Sequence, residues 1–453
     1  MLQLPEQPHL SQPRREPLRI APSFADWYLV AVLWCTNFFA FVDRQSLPLL
    51  VGPIEQDLHI SDTEMSFLIG LAFALVFTGL GVPAGVLLDR LKRKKLIIAC
   101  GVTFWSLATM GCGLATSYGQ LFLGRMGVGV GEAVFPPGAV AMIRDAFPSA
   151  WRSRAIGFWS SGATIGAGMA LLGGGAILGL VSGHAAVELP LVGSVKPWQL
   201  VLIVSGALGL FVAVLMLTIR EPKRTGLDNA APVTIALAWR HLRDRWRVFL
   251  PLACAIFSGS IVMFSFQVWT PTLLGRVWHL SRPEIGLMFG LMTIILAPAG
   301  QCLAGIAVDQ LTKRRPNDAA AIAGSAICAM ILAPIILIAL IPSLAAMWAI
   351  VAIYTFMGPA IFTVATVATA NLTPAPMMGK VAGLHFFFFN LIGFALGAML
   401  VAVVSDHVFA GATAVAYAMS SVIGVFDVMA IASFFLLARN MRRESCGTAA
   451  ASL

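Results

Sequence analysis

The sequence predicts an all-α integral membrane protein, with twelve transmembrane helices arranged as two pseudo-symmetric six-helix bundles. Three observations predict it. Of 453 residues, 58% are hydrophobic and only 11% are charged, whereas soluble proteins carry roughly 25% charged residues. Twelve apolar stretches of membrane-crossing length separate along the chain. A segment of the first half recurs in the second, 220 positions later. This composition excludes a soluble enzyme, a secreted disulfide scaffold and a disordered chain.

The apolar stretches are 27–50, 65–88, 96–118, 120–143, 155–181, 199–219, 249–274, 284–308, 319–341, 345–370, 377–404 and 411–438. A bilayer core needs ~20 apolar residues per crossing. Lipid leaves a helix as the way for each stretch to satisfy its backbone. Residues 1–26 hold five prolines and three arginines and no apolar core. They read as a disordered cytoplasmic tail without a cleavable signal. The expected organisation is a six-helix bundle over 27–219, a cytoplasmic linker over 220–248, a second bundle over 249–438 and a cytoplasmic tail over 439–453. Six of the seven cysteines lie inside apolar stretches with no Cys-x-x-Cys pair, so they read as small buried hydrophobes.

The net charge of +9 has a topological explanation. With the N-terminus cytoplasmic, 25 of the 30 basic residues fall on inward-facing segments. They include Arg90, Lys92, Arg93, Lys94 and Lys95 between stretches 2 and 3, and seven from Arg220 to Arg247 in the linker. Lys196, Arg276 and Arg282 fall outside, and Arg44 and Arg125 lie within the membrane. That asymmetry puts both termini in the cytoplasm and removes any need for a nucleic-acid partner.

The repeat aligns 59–94 with 279–314 without gaps. His59, Ser61, Glu64, Gly70, Leu71, Ala84, Gly85, Asp89 and Leu91 meet His279, Ser281, Glu284, Gly290, Leu291, Ala304, Gly305, Asp309 and Leu311. The two halves are therefore parallel copies, and their interface near the midplane is the expected substrate site. In the joint, over Val233–Phe249, Trp239, Leu242 and Trp246 share one helical face, with Arg240, Arg243 and Arg247 on another. That pattern suits an interfacial helix on the inner leaflet; a strut between the halves is a compatible reading.

Residues 85–94, Gly85-Val-Leu-Leu-Asp89-Arg90-Leu91-Lys92-Arg93-Lys94, resemble the signature loop of the major facilitator superfamily, with Lys92 where a glycine is usual. The resemblance implies the major facilitator fold and transport by alternating access. Asp89 can pair with Arg93 and face the positive end of a neighbouring helix, as a latch that forms when the halves close on the inside. Arg90, Lys94 and Arg152 belong to the same candidate gate, and Gly305 and Asp309 repeat it in the second half. The fifth stretch carries eight glycines from Gly157 to Gly179, which favours close helix approach. Ala167 stands where the drug-antiporter signature wants proline, so that helix speaks for packing.

Ionisable residues inside spans are functional candidates, because each is costly unless paired. Asp43 and Arg44 fall in the first stretch, Arg125 and Glu132 in the fourth, Asp427 in the twelfth, and His385 near the start of the eleventh. At ~1.5 Å per residue, Asp43 and Arg125 come to matching depths, so an Asp43–Arg125 ion pair is expected. Arg125 and Glu132, seven apart, share a face. A midplane carboxylate close to an arginine is what proton coupling requires. A static charge network locking helix 1 to helix 4 is the competing reading.

These residues also carry a narrower resemblance. Phe41-Val-Asp43-Arg44-Gln45, the run 53–64, Arg125-Met-Gly-Val-Gly-Val-Gly-Glu132-Ala133, and Asp145-Ala-Phe-Pro148 with Arg152 resemble the Spinster-type branch of the superfamily. The resemblance covers most of the first half at motif level. It implies proton coupling through the matching acidic residues and, from animal members, a lysophospholipid or sphingoid-type cargo. The residues point the same way. By the superfamily pattern the cavity-lining helices of the second half are 7 and 10, and they offer the charged pole of the first half only Ser, Thr, Gln267 and Tyr354 among apolar residues. The run Phe386 to Phe389 reads as lipid-facing or as a tail path.

The expected function is thus a proton-coupled secondary transporter of a small amphiphile, a multi-pass monomer in the bacterial inner membrane. A transporter of a small organic anion or drug is the alternative, and a membrane enzyme or receptor a distant one. The seven histidines form no metal-ligand spacing, and the sequence calls for no cofactor or metal.

Overall fold

A computed structural model describes residues 21–90, 93–190, 192–222, 235–374 and 377–451. Among them, twelve helices are long and apolar enough to cross a membrane. In the first half these are span 1 (Phe24–Leu58), span 2 (Asp62–Gly85), span 3 (Lys94–Gly113), span 4 (Tyr118–Ala146), span 5 (Arg154–Leu180) and span 6 (Pro197–Thr218). The second half contributes span 7 (Trp246–Arg276), span 8 (Arg282–Arg314), span 9 (Ala319–Leu340), span 10 (Leu344–Leu372), span 11 (Gly383–His407) and span 12 (Ala414–Glu444). An antiparallel hairpin, β1 (Val187–Leu189) with β2 (Gly193–Val195), follows span 5. It marks one end of the molecule, the hairpin side; the start of span 1 and the end of span 12 belong to the opposite, terminus side.

The repeat is visible in local geometry. Among the described residues, His59 and His279 are the two non-glycine residues with positive φ, 53° and 52°, a left-handed conformation that ends one helix before the next begins. Ser61 with Glu64 and Ser281 with Glu284 then form matching capping boxes, which satisfy the first free amides of spans 2 and 8. The shared residues thus encode a turn and a helix start.

Within the first half span 1 packs on spans 5 and 6, and span 3 on spans 4 and 6; within the second, span 12 packs on spans 7 and 9. Span 5 against span 8 and span 2 against span 11 join the halves. A Cβ at Gly168 would meet the Gly290 carbonyl at 2.8 Å, and one at Gly175 the Gly286 Cα at 3.0 Å. The glycine-rich fifth stretch therefore serves close packing across the halves. Spans 2 and 11 each contain a π-helical turn, Phe67–Leu71 and Gly393–Gly397, and these pack on one another.

Two elements differ from expectation. The linker helix covers Ile235–Asp244 and breaks at Arg245 before span 7 begins at Trp246; a residue outside the helical ladder lets it turn across the span. The last helix continues to Ala451, so 439–451 extends span 12 instead of leaving it.

Candidate functional site

Span 1 carries Arg44 and span 4 carries Glu132, both buried. Arg44 Nε donates to Glu132 Oε2 at 2.6 Å. Span 4 is broken here: one helix ends at Glu132 and the next starts at Phe135. Pro136 and Pro137 have no N–H to offer the carbonyls of Glu132 and Ala133. Irregular backbone at membrane depth is tolerated where it is buried in protein or lines a cavity.

Arg44 is also enclosed by aromatic rings. Its guanidinium carbon lies 4.5 Å from the Phe77 centroid, 4.6 Å from Phe73 and 5.0 Å from Phe41. Phe394, from span 11 of the other half, stands at 6.0 Å. Desolvated cation–π contacts of this kind contribute about 2 kcal/mol or more. The arginine thus has a carboxylate on one side and a wall of rings, drawn from both halves, on the other.

Asp43 and Arg125 lie close by without forming the expected ion pair. Asp43 Oδ2 accepts from Thr109 Oγ1 of span 3 at 3.2 Å. Arg125 Nε donates to the Leu68 carbonyl, inside the π turn of span 2, at 3.4 Å. Successive helical residues point ~100° apart, so Arg44 faces Glu132 while Asp43 turns to span 3. Matching depth alone could not decide that. Asp43 Oδ1 and Glu132 Oε1 are buried with no hydrogen-bond partner among the described residues.

The terminus-side motif bonds within its own half. Lys94 Nζ meets Asp145 Oδ2 at 2.5 Å, both buried, so spans 3 and 4 are tied together. Arg152 Nε donates to the Phe147 carbonyl at 3.0 Å. Arg93 is exposed at the start of span 3. Asp89 and Arg90 close the helix that carries span 2; their side chains lie outside the described residues. A Cβ at Gly85 would have Pro137 as its nearest neighbour, at 3.7 Å, and one at Gly305 would meet nothing within 4 Å. Asp309 is exposed. No ion pair between described residues joins the halves on this side.

The hairpin side is bolted instead. Arg276, at the end of span 7, reaches into the first half: Nη1 to Asp62 Oδ2 at 2.8 Å, Nη2 to Asp62 Oδ1 at 2.5 Å and Nη2 to Glu55 Oε2 at 2.6 Å. The Thr63 amide and hydroxyl both donate to Asp406 Oδ2, at 2.8 and 2.7 Å. By sequence Arg276 is a loop charge, and Glu55, Asp62 and Asp406 fall at the ends of apolar stretches and not inside them. Their signal was present, since Asp62 follows the first copy of the repeat's turn.

His385 and Asp427 stand apart from the Arg44 cluster. His385 Nδ1 lies 2.9 Å from Thr369 Oγ1 of span 10, near the Phe362 and Phe389 rings. Asp427 is fully buried in span 12, beside Cys328 and Tyr354, with no cation in ion-pair reach among the described residues. The phenylalanine run divides: Phe388 is exposed, while Phe389 turns inward onto Phe362 and Phe264.

Two six-helix halves joined through spans 2, 5, 8 and 11, with a buried charged cluster in the first half that reaches Phe394 of the second, have a counterpart among known proteins. Residues 33–398 match the Major Facilitator Superfamily. The chain belongs to that superfamily. It is a transporter and not an enzyme. An MFS-type efflux pump of Mycolicibacterium smegmatis is 24% identical over 425 residues, which cover 92% of this chain and 94% of the pump. A probable L-galactonate transporter of Escherichia coli is 30% identical over 301 residues, 61% of each chain. Among solved structures, a bacterial homologue of the human lysosomal transporter Spinster, inward-facing and unoccupied, superposes with a TM-score of 0.79 at 24% identity, over 93% of this chain and 99% of that one. The Spinster-like resemblance of the first-half motifs therefore has a matching fold.

Proposed function

We propose that this superfamily transporter couples protons to the movement of an anionic, lipid-like amphiphile of the lysophospholipid or sphingoid type. The observation that carries the reading is the setting of Arg44. It is paired with Glu132 and enclosed by Phe41, Phe73, Phe77 and Phe394. An anionic head group that competes for Arg44 would release Glu132 to take a proton. Phe394 belongs to the other half, so a change at Arg44 would reach the contact between spans 2 and 11. Asp43 and Arg125 tune the same cluster. His385 would supply a polar group at the far end of the ring-lined wall, and Asp427 a second buried acid outside it. An amphiphile suits a charged pole that adjoins aromatic rings.

In this reading the protein is a monomer in the bacterial inner membrane with both termini cytoplasmic. The state described above is then inward-open. The motif from Gly85 to Lys94, with Arg152, Gly305 and Asp309, would engage across the halves when they close on the cytoplasmic side. Transport of a small organic anion is the second reading, supported by the L-galactonate relative. A sugar acid needs many hydrogen-bonding partners, and phenylalanines surround Arg44 instead.

The test is uptake of lysophospholipid into proteoliposomes under an imposed pH gradient. Asp43→Asn and Glu132→Gln are each expected to abolish gradient-driven uptake. Unaltered uptake in both would overturn the proton coupling. Thermal stabilisation by sugar acids but not by lysophospholipids would transfer the assignment to the second reading.

A further inference from the structure

The linker helix, Ile235–Asp244, has two unlike sides. One is fixed to the second half. Leu242 packs into the larger apolar core, and the helix lies against spans 7 and 11. His241 Nε2 lies 3.4 Å from the Leu372 carbonyl at the end of span 10, and just past the helix Arg245 Nη1 donates to the same carbonyl at 3.1 Å. Arg245 also pairs with Glu444 of the last helix at 2.5 Å. These contacts of His241 and Arg245 all end in the second half, so the helix travels with it.

The other side is open. Trp239 is 64% exposed, and the Arg240 and Arg243 side chains are each 73% exposed. Trp246 and Arg247, one turn further on, continue the surface, with the guanidinium 5.9 Å from the indole centroid. Asp244 is the only acid in this stretch, and it is shared between Arg240 at 3.6 Å and Arg243 at 3.8 Å. Two exposed indoles in bulk water would be unfavourable, but tryptophan is favoured where membrane meets water. The place fits: the helix directly precedes span 7, which starts at Trp246, and so lies next to the boundary that its own span crosses. Exposed arginines there attract anionic headgroups, each contributing about fivefold in binding.

We infer that this helix is a docking surface for anionic phospholipid headgroups, and that through it the bilayer surface holds the second half. The occupant is a lipid surface and not a soluble protein, because the indoles and the guanidinium groups form adjoining stripes. This holds whichever cargo the transporter carries.

The experiment uses the full chain in vesicles of phosphatidylcholine with phosphatidylglycerol, with one or the other lipid brominated to quench tryptophan. Comparing the parent with Trp239→Phe isolates the Trp239 emission. The expected result is quenching by both lipids, with a relative binding constant that favours phosphatidylglycerol. That preference falls roughly fivefold with Arg240→Gln and again with Arg243→Gln, and rises with Asp244→Asn. All three changes are at exposed positions away from the packed side. Equal constants for the two lipids, or a preference unchanged in Arg240→Gln/Arg243→Gln, would overturn the inference. So would Trp239 emission insensitive to either brominated lipid, which would mean that the helix faces solution and a soluble partner.

Discussion

Gly70 and Gly290 occupy equivalent positions of the repeat, and each lies against a backbone carbonyl of the opposite half. A side chain at Gly70 would run into the Phe394 carbonyl, and a Cβ at Gly290 would meet that of Gly168 at 2.8 Å. One duplicated glycine therefore sits in two of the helix contacts that join the halves, span 2 with span 11 and span 8 with span 5. Backbone cannot yield as a flexible side chain does, so these two positions limit how closely the hairpin side can shut.

Gly70→Val and Gly290→Val are expected to push the halves apart on the hairpin side. Spin labels at positions 58 and 408, one in each half, would show a longer distance component in both variants. Gly173→Ala is the control. Nothing lies within 4 Å of a Cβ there, so the distances are expected to match the parent.

Arg276→Gln removes the charge that bridges Asp62 and Glu55. Hydrogen bonds to charged groups contribute about 1.5–3 kcal/mol each. The Arg276 side chain is 31% exposed, so the low end applies, and the population open on the hairpin side is expected to rise by about tenfold. The same labels measure it. Thr63→Val, which loses the hydroxyl bond to Asp406 and keeps the amide bond, is expected to have a smaller effect.

Lys94→Met leaves Asp145 buried and unpaired, and is expected to cost about 3–5 kcal/mol. Lys94→Met with Asp145→Leu is expected to recover most of that, since replacing both partners of a buried pair by apolar groups is often neutral. Thermal unfolding of the four proteins of the cycle would read the coupling.

Glu132→Gln keeps an oxygen to accept from Arg44 Nε, so its unfolding temperature is expected to stay near the parent's. Its gradient-driven uptake is nevertheless expected to be lost, because the carboxylate that would take the proton on release from Arg44 is gone. Glu132→Ala strips the partner from a buried arginine and is expected to destabilise by about 3–5 kcal/mol.

Much of this was legible from residue order. Apolar length gave the twelve spans, because a helix in lipid depends on little but its own composition. The identity at 220 positions gave the two halves, and its turn-and-cap residues proved to be the His59 and His279 turns with their serine caps. The four charges Asp43, Arg44, Arg125 and Glu132 were legible as one cluster, because charge within an apolar span stands out. Their pairing was not. Sequence supplies depth along a helix, while the angle about its axis depends on how the helix is rotated against its neighbours.

The rest was invisible for the same reason. Phe73, Phe77 and Phe394 are ordinary apolar residues among 29 phenylalanines, and only packing brings them around Arg44. The break after Glu132 had a signal in Pro136-Pro137, but an unbroken apolar run concealed it. The sequence by itself determined that the chain crosses the membrane twelve times, that its halves are copies, and which few charges lie inside the spans. Tertiary structure alone decided that Arg44 holds Glu132, that Arg276 bolts the hairpin side and that Lys94 stays within its own half. Composition and periodicity act along one chain segment at a time, whereas a bond between two spans exists only once their rotations are fixed by packing.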